Sequence, residues 1–255
     1  MTETPSPRRV RGAALVTGGA KRIGRAICLE LAAAGFDVAV HHRDSADAAA
    51  ELVREIEAMG RRAASLSADL ADVVATRELM GRAAEALGPV TVLVNNASVF
   101  ADDRLDSITD ESWAAHLDVN LRAPVLLAQA FAAQAPEGSA IINILDQRVL
   151  KPDPRFFSYG LSKSALWVAT RTMAQALAPR IRVNGVGPGP TLPSVHQAAG
   201  EFEAEARATP LQRAGSPEAI ADAVCWLVDA GQVTGQMIAV DGGQHLAWQT
   251  PDIVE

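Results

Sequence analysis

The chain has 255 residues, enough for one α/β domain with a substantial core, and its 49% apolar and 21% charged residues are ordinary for a globular protein. A formal net charge of −7, with no basic run interleaved with aromatics, argues against a nucleic-acid surface, and no apolar stretch reaches membrane-spanning length. Cys28 and Cys225 have no metal or redox spacing, so they read as buried reduced thiols in a cytoplasmic protein that holds no metal.

Residues 1–12, with two prolines and three arginines but no apolar segment of a secretory signal, read as a disordered tail. Ala13–Thr17 is a short apolar run closed by Gly18-Gly19, a buried strand and a tight turn. A helix is predicted from Arg22 to about Ala34, a strand over Phe36–His41 and a helix over Ser45–Met59. The alternation continues through Ala63–Ser67, Val73–Leu87, Val90–Asn95, Trp113–Ala135, Ala140–Leu145, Ser158–Leu177, Arg182–Val186, Pro217–Asp229 and Met237–Val240. Continuously apolar strands alternating with helices predict a single-domain, Rossmann-type, doubly wound parallel sheet of about seven strands spanning residues 13–245. Helices cover both faces, and the ligand crevice opens at the carboxyl ends of the strands. Residues 246–255 form a C-terminal tail that is either disordered or folded over an active site.

Glycines in the turn Thr17-Gly18-Gly19-Ala20-Lys21-Arg22-Ile23-Gly24 let the backbone approach a pyrophosphate, which the helix N-terminus favours. Arg22 occupies one position where a dinucleotide turn usually has glycine. The second strand ends in His41-His42-Arg43-Asp44, where such a fold reads the adenosine ribose. Arg43 suits the 2′-phosphate of NADP better than the bare diol of NAD. Asp69-Leu70, after the third strand, would lie near adenine, although an aspartate there also suits a helix cap. Asn95-Asn96 supplies amides for buried backbone groups beside a ligand, and Asn120 interrupts an apolar helix in which it needs a partner.

Tyr159, the sole tyrosine, and Lys163, one of three lysines, share a helix face four residues apart. A cation beside a phenol favours the phenolate, and an ammonium can also hold a sugar diol. Together TGGAKRIG, NNAS, Asn120, YxxxK and Asp241-Gly242-Gly243 resemble the short-chain dehydrogenases/reductases over nearly the whole chain. The resemblance implies Tyr159 as proton donor and acceptor, and Lys163 lowering its pKa and holding the nicotinamide ribose. It implies Asn120 holding a relay water, Pro188 and Gly189 lining the nicotinamide, and Thr191 bonding its carboxamide. The implied cofactor set is Gly18, Arg22, Ile23, Gly24, His42, Arg43, Asp69, Leu70, Asn96, Ala97, Tyr159, Lys163, Pro188, Gly189 and Thr191. A homotetramer packed through the Trp113–Ala135 and Tyr159–Leu177 helices is also implied.

The family's usual serine is replaced by Asp146, thirteen residues before the tyrosine. Asp146, Lys21-Arg22 and Asn96-Ala97-Ser98-Val99-Phe100 resemble the pteridine and dihydromonapterin reductases. That implies NADPH-dependent reduction of a pterin C=N bond, with Tyr159 and Asp146 delivering the proton. Phe100 would stack on the pterin, Ser98 and Arg22 would make polar contacts, and residues 192–211 would form the lid. Two other functions compete: a short-chain reductase of another carbonyl, and a regulatory NADP(H)-binding protein without turnover.

Overall fold

A computed structural model describes residues 11–193 and 200–247. Strands β1 (Ala13–Val16), β2 (Asp37–His42), β3 (Ala63–Ser67), β4 (Val90–Asn95), β5 (Ser139–Ile144), β6 (Ile181–Pro188) and β7 (Met237–Val240) form one sheet in the order β3-β2-β1-β4-β5-β6-β7. Every neighbouring pair is parallel. The strand order reverses between β1 and β4, which opens a crevice beyond their carboxyl ends.

Helices α1 (Arg22–Ala33), α2 (Ala46–Ala58) and α8 (Pro217–Asp229) cover one face. Their Ile27, Leu31, Leu52, Ile56 and Val224 pack with Val16, Val38 and Val40 of the sheet. Helices α3 (Val73–Leu87), α5 (Ala123–Gln134) and α6 (Phe157–Leu177) cover the other. There Leu79, Met80, Leu127 and Phe131 pack with Leu15, Leu93 and Ile141. Because both faces are buried, β1, β2 and β5 are buried at every residue, which accounts for the apolar run of β1 and for the apolar middles of β2 and β5.

The single helix expected over Trp113–Ala135 is instead two helices. Helix α4 (Asp110–Leu117) starts on a reciprocal Thr109–Ser112 capping box, and a π-helical segment, Asp118–Arg122, separates it from α5. Asn120 lies in that segment, so the residue flagged as out of place in an α-helix is not in one. Arg11 and Gly12, assigned to the tail, are tied down: Arg11 N–H donates to Gly35 O, and its guanidinium pairs with Asp229. Residues 1–10 and 248–255, including Trp248, lie outside the described residues.

A buried polar chain crosses the sheet to α6. Asn95 donates to Asn143 Oδ1 at 2.8 Å, Asn143 to Thr170 Oγ1 at 2.8 Å, and Thr170 to Leu166 O at 2.7 Å. Each amide can bond only where its neighbour sits, so the chain sets how α6 lies along β4 and β5. The first turn is close-packed: a Cβ on Gly24 would lie 2.1 Å from Gly18 O. Gly24→Ala therefore lowers stability by about 1–3 kcal/mol in urea unfolding. Gly160→Ala in α6, where a Cβ would meet nothing within 4 Å, raises stability by up to about 1 kcal/mol.

Candidate active site

Asp146 follows β5, and Tyr159 stands on the first turn of α6. The phenol O–H donates to Asp146 Oδ2 at 2.7 Å, and Tyr159 is only 6% exposed. Asp146 Oδ1 accepts the Arg148 backbone N–H at 2.8 Å, and the Arg148 guanidinium pairs with Oδ2 at 3.3 Å. Burial raises the Tyr159 pKa well above that of a free phenol; the Asp146 carboxylate raises it further, and Arg148 opposes both.

Lys163 lines the same cleft as Tyr159, the shared face that its spacing implied. Its ammonium donates to Ile144 O at 2.8 Å and lies 5.8 Å from the Tyr159 ring centroid. The cation beside the phenol–carboxylate pair is Arg148. Burial lowers the Lys163 pKa to about 8, with Asp146 opposing.

Phe100 stacks on Phe156, with centroids 4.3 Å apart and planes 16° apart, and meets the Tyr159 ring edge-on at 4.8 Å. The Arg148 guanidinium lies over both phenylalanines, 5.8 and 5.5 Å from their centroids. Phe156 holds a left-handed backbone, φ 55°, which turns the chain into α6. Sequence reasoning passed over Arg148 and Phe156; the only local sign was two adjacent phenylalanines before the tyrosine helix. These groups line a cleft of about 810 Å³ with Ser98, Asp146, Lys163, Pro188, Gly189 and Thr191. Thr191 is buried and donates to Gly189 O at 3.0 Å. Part of the expected lid is helix α7 (Glu201–Arg207), whose Glu201, Phe202, Ala204 and Glu205 line the same cleft. Gln244 donates to Glu205 Oε1 at 2.8 Å, and Lys151 to Ala247 O. Residues 194–199 of the lid lie outside the described residues.

Asn120 is fully buried, and its amide is spent within the protein. Oδ1 accepts from Val99 N–H at 2.8 Å and Ser98 Oγ at 3.2 Å. Nδ2 donates to Val99 O at 2.9 Å and Ser162 Oγ at 3.0 Å. The side chain therefore clamps the loop that carries Ser98 and Phe100.

A second cleft, about 580 Å³, is lined by Gly18, Arg22, Ile23, Gly24, His42, Arg43, Asp69, Leu70, Asn96 and Ala97. Arg22 has φ 53°, the left-handed conformation that explains glycine's usual place there, and donates to Pro193 O at 3.1 Å. Asn96 Nδ2 donates to Thr17 O at 2.8 Å and Gly18 O at 3.1 Å, which holds the turn open. His41 Nδ1 accepts from Gly18 N–H at 3.0 Å; burial lowers its pKa to about 4, so the imidazole stays neutral. Arg43 pairs with Asp44 at 2.6 Å on the surface, and Asp69 accepts from Ala71 N–H at 2.9 Å, while Asp72 caps α3. His42 Nε2 contacts Ser65 Oγ at 3.0 Å, whereas its buried Nδ1 has no partner among the described residues. A glycine cradle at a helix start, an unpartnered imidazole nitrogen and a nearby arginine fit a phosphorylated dinucleotide.

The profile of a family described as enoyl-(acyl carrier protein) reductase matches residues 18–245. An uncharacterised oxidoreductase of Methylorubrum extorquens is 37% identical over 238 residues, covering 90% of this chain and 96% of that one. The chain is a short-chain dehydrogenase/reductase. Another such enzyme, the 3-oxoacyl-[acyl-carrier-protein] reductase FabG of Staphylococcus epidermidis, is 33% identical and covers 91% of this chain and 98% of its own. Among solved structures, FolM alternative dihydrofolate reductase 1 of Brucella canis, complexed with NADP, is 47% identical with a TM-score of 0.92. The match covers 96% of this chain and 98% of that one. Removing the clamp of this short-chain dehydrogenase/reductase, Asn120→Ala, strands buried donors and acceptors of the Val99 loop. Its unfolding free energy in urea is expected to fall by about 2–4 kcal/mol.

Proposed function

We propose that the protein is an NADPH-dependent reductase of a pterin-type C=N bond, such as that of a dihydropterin, dihydromonapterin or dihydrofolate-like substrate. The observation that carries this reading is the Tyr159–Asp146 hydrogen bond beside the Phe100–Phe156 stack. Similarity to proteins described as alternative dihydrofolate reductases supports it.

Bound NADPH supplies the hydride. Gly18, Arg22, Ile23, Gly24, His42, Arg43, Asp69, Leu70, Asn96 and Ala97 would hold its adenosine and phosphates; Lys163, Pro188, Gly189 and Thr191 would hold its nicotinamide half. With its pKa raised, Tyr159 stays protonated at neutral pH and so serves as the acid, giving its proton to the ring nitrogen. Asp146 orients that O–H and accepts an N–H of the heterocycle, while Arg148 balances the charge left on the phenolate. The aromatic wall excludes water and adds about 0.5–1.5 kcal/mol of offset stacking. Ser98 and Arg22 supply polar contacts at the rim. Helices α4, α5 and α6 would pack in a homotetramer, and the free thiols of buried Cys28 and half-buried Cys225 suit the cytoplasm.

FabG similarity favours a second reading, reduction of another carbonyl, which needs the cofactor half of the site but not Phe100. An NADP(H)-binding regulator without turnover is disfavoured by the intact Tyr159–Asp146 contact. A dihydropterin panel is expected to oxidise NADPH. Tyr159→Phe is expected to lower kcat by about 10²–10⁴-fold. Phe100→Ala is expected to raise the pterin KM by about 2–10-fold with NADPH binding intact. Oxidation by ketones and 3-oxoacyl thioesters alone would favour the second reading and remove the first.

The Lys163 ammonium is lost as pH rises through about 8, so NADPH affinity is expected to weaken above that value and to become flat in Lys163→Met, by fluorescence titration. The stability contribution has the opposite sign. Between about 8 and the ordinary lysine value of 10.5 the unfolded chain holds the extra proton, so stability rises with pH across that window and is lost as pH falls back through it.

A further inference from the structure

Helix α6 begins with no cap from its own flanking side chain, and what holds its first turn comes from elsewhere. Asp103, in the loop after Phe100, accepts Ser158 N–H on Oδ1 at 2.9 Å, and its backbone carbonyl accepts Phe157 N–H at 3.0 Å. Asp103 Oδ2 also accepts from the Ser158 hydroxyl and, at 3.1 Å, from Ser112 Oγ of α4. His116 of α4, 0% exposed, closes the circuit. Its Nε2 faces the Ala101 N–H at 3.2 Å and its Nδ1 faces Ser158 Oγ at 2.6 Å.

Donor directions in this circuit are forced. A backbone N–H can only donate, so Nε2 of His116 accepts and Nδ1 carries the proton. Nδ1–H donates to Ser158 Oγ, and the Ser158 hydroxyl passes on to Asp103. Although aspartate, serine and histidine meet here, the serine donates to the carboxylate rather than to the imidazole, and the histidine is sealed from solvent. The cluster is thus no nucleophilic triad. Its place in the fold gives it another part. The Ala101 amide is one residue from Phe100, and the His116 ring meets that of Tyr159 edge-on at 6.1 Å.

We propose that His116 is a positioning residue that fastens the Ser98–Asp103 loop to the head of the Tyr159 helix, and that its protonation releases the loop and weakens substrate binding while leaving cofactor binding unchanged. A protonated imidazole would turn an Nε2–H toward the Ala101 N–H, donor against donor, in a place without water. The charged or titratable groups that face His116 among the described residues are Asp103 on the loop, 3.9 Å away, and Tyr159 on α6; its own helix offers the Ser112 backbone carbonyl. Burial lowers the His116 pKa from 6.5, and the Asp103 carboxylate opposes this less strongly, so release begins only below that value. Asp103 itself stays charged: burial, which would raise its pKa, is outweighed by the hydrogen bonds from Ser158 and Ser112. Asp103, His116 and Ala101 lie outside the dinucleotide cleft, and the Ser98–Val99 end of the loop, which lines it, is held separately by Asn120, which is why cofactor affinity is left alone.

The first test needs no substrate. Hydrogen exchange of the Ala101 amide in the whole protein is followed between about pH 7 and pH 5, with protection factors corrected for intrinsic rates. Protection at Ala101 is expected to fall about tenfold or more across that range while the β4 and β5 amides keep theirs; unchanged protection at Ala101 overturns the proposal. The second test rests on the reductase reading. With a dihydropterin, wild-type KM is expected to rise about tenfold toward pH 5 while the NADPH Kd moves less than about twofold. His116→Asn, which cannot take up a proton, is expected to flatten that rise, and His116→Leu to show the acid-form KM already at neutral pH. A His116→Leu protein that melts lower but keeps the wild-type KM and its pH dependence would show a merely structural residue and sink the idea. Absence of turnover with every pterin would remove the reductase reading, and the exchange measurement on the wild type would still decide the role of His116.

Discussion

A buried phenol that donates to a partly buried carboxylate on the wall of the larger cleft is the contact on which the rest of the architecture converges. Neither group would hold that arrangement on a surface, where water competes for both. Burial keeps the proton on Tyr159, and Asp146 fixes where it points. The surroundings then have two tasks: to supply one compensating cation, Arg148, and to keep the two chain segments from drifting apart. The first task uses a neighbour two residues along the chain. The second uses almost every buried polar group near α6.

Those groups act from three directions. The Asn95–Asn143–Thr170 chain ties α6 to the ends of two strands, Asn120 ties the Val99 loop to Ser162, and Asp103 with His116 ties that loop to the start of the helix. A helix held by packing alone can slide or roll by small amounts at little cost. One held by directional bonds with fixed donors cannot. The polar interior here therefore serves placement more than net stability, since each bond replaces one that water would have made.

What could be read from the residues follows from how local each constraint is. The sheet, its parallel sense and the glycine turn were legible because apolar strand runs and a close backbone approach restrict residue type at consecutive positions. Asp146 beside Tyr159 was legible only through the family resemblance, which puts a serine at that strand end thirteen residues before the tyrosine. The i,i+4 spacing of Tyr159 and Lys163 correctly put both on one face but did not show that the ammonium reaches the Ile144 carbonyl. Phe156, Arg148 and His116 left little trace because their partners come from other segments, and each looks like an ordinary loop or helix residue in its own stretch. The break in the Trp113–Ala135 helix left one trace, Asn120 out of place in an apolar pattern, which marks a polar residue in need of a partner without saying that the helix widens there.

That break has a consequence of its own. A π-helical segment fits one more residue into a turn than α geometry would, so Asp118–Arg122 behaves as an inserted position absorbed without a loop. Deleting any one of those five residues would let the segment close into ordinary α geometry, with the helices on either side left near their present phase. What would go is the widened turn from which the Asn120 amide reaches the loop it grips. Length, rather than side-chain chemistry, is the property of this segment least open to change, and single-residue gaps here should be far scarcer among functional variants than substitutions.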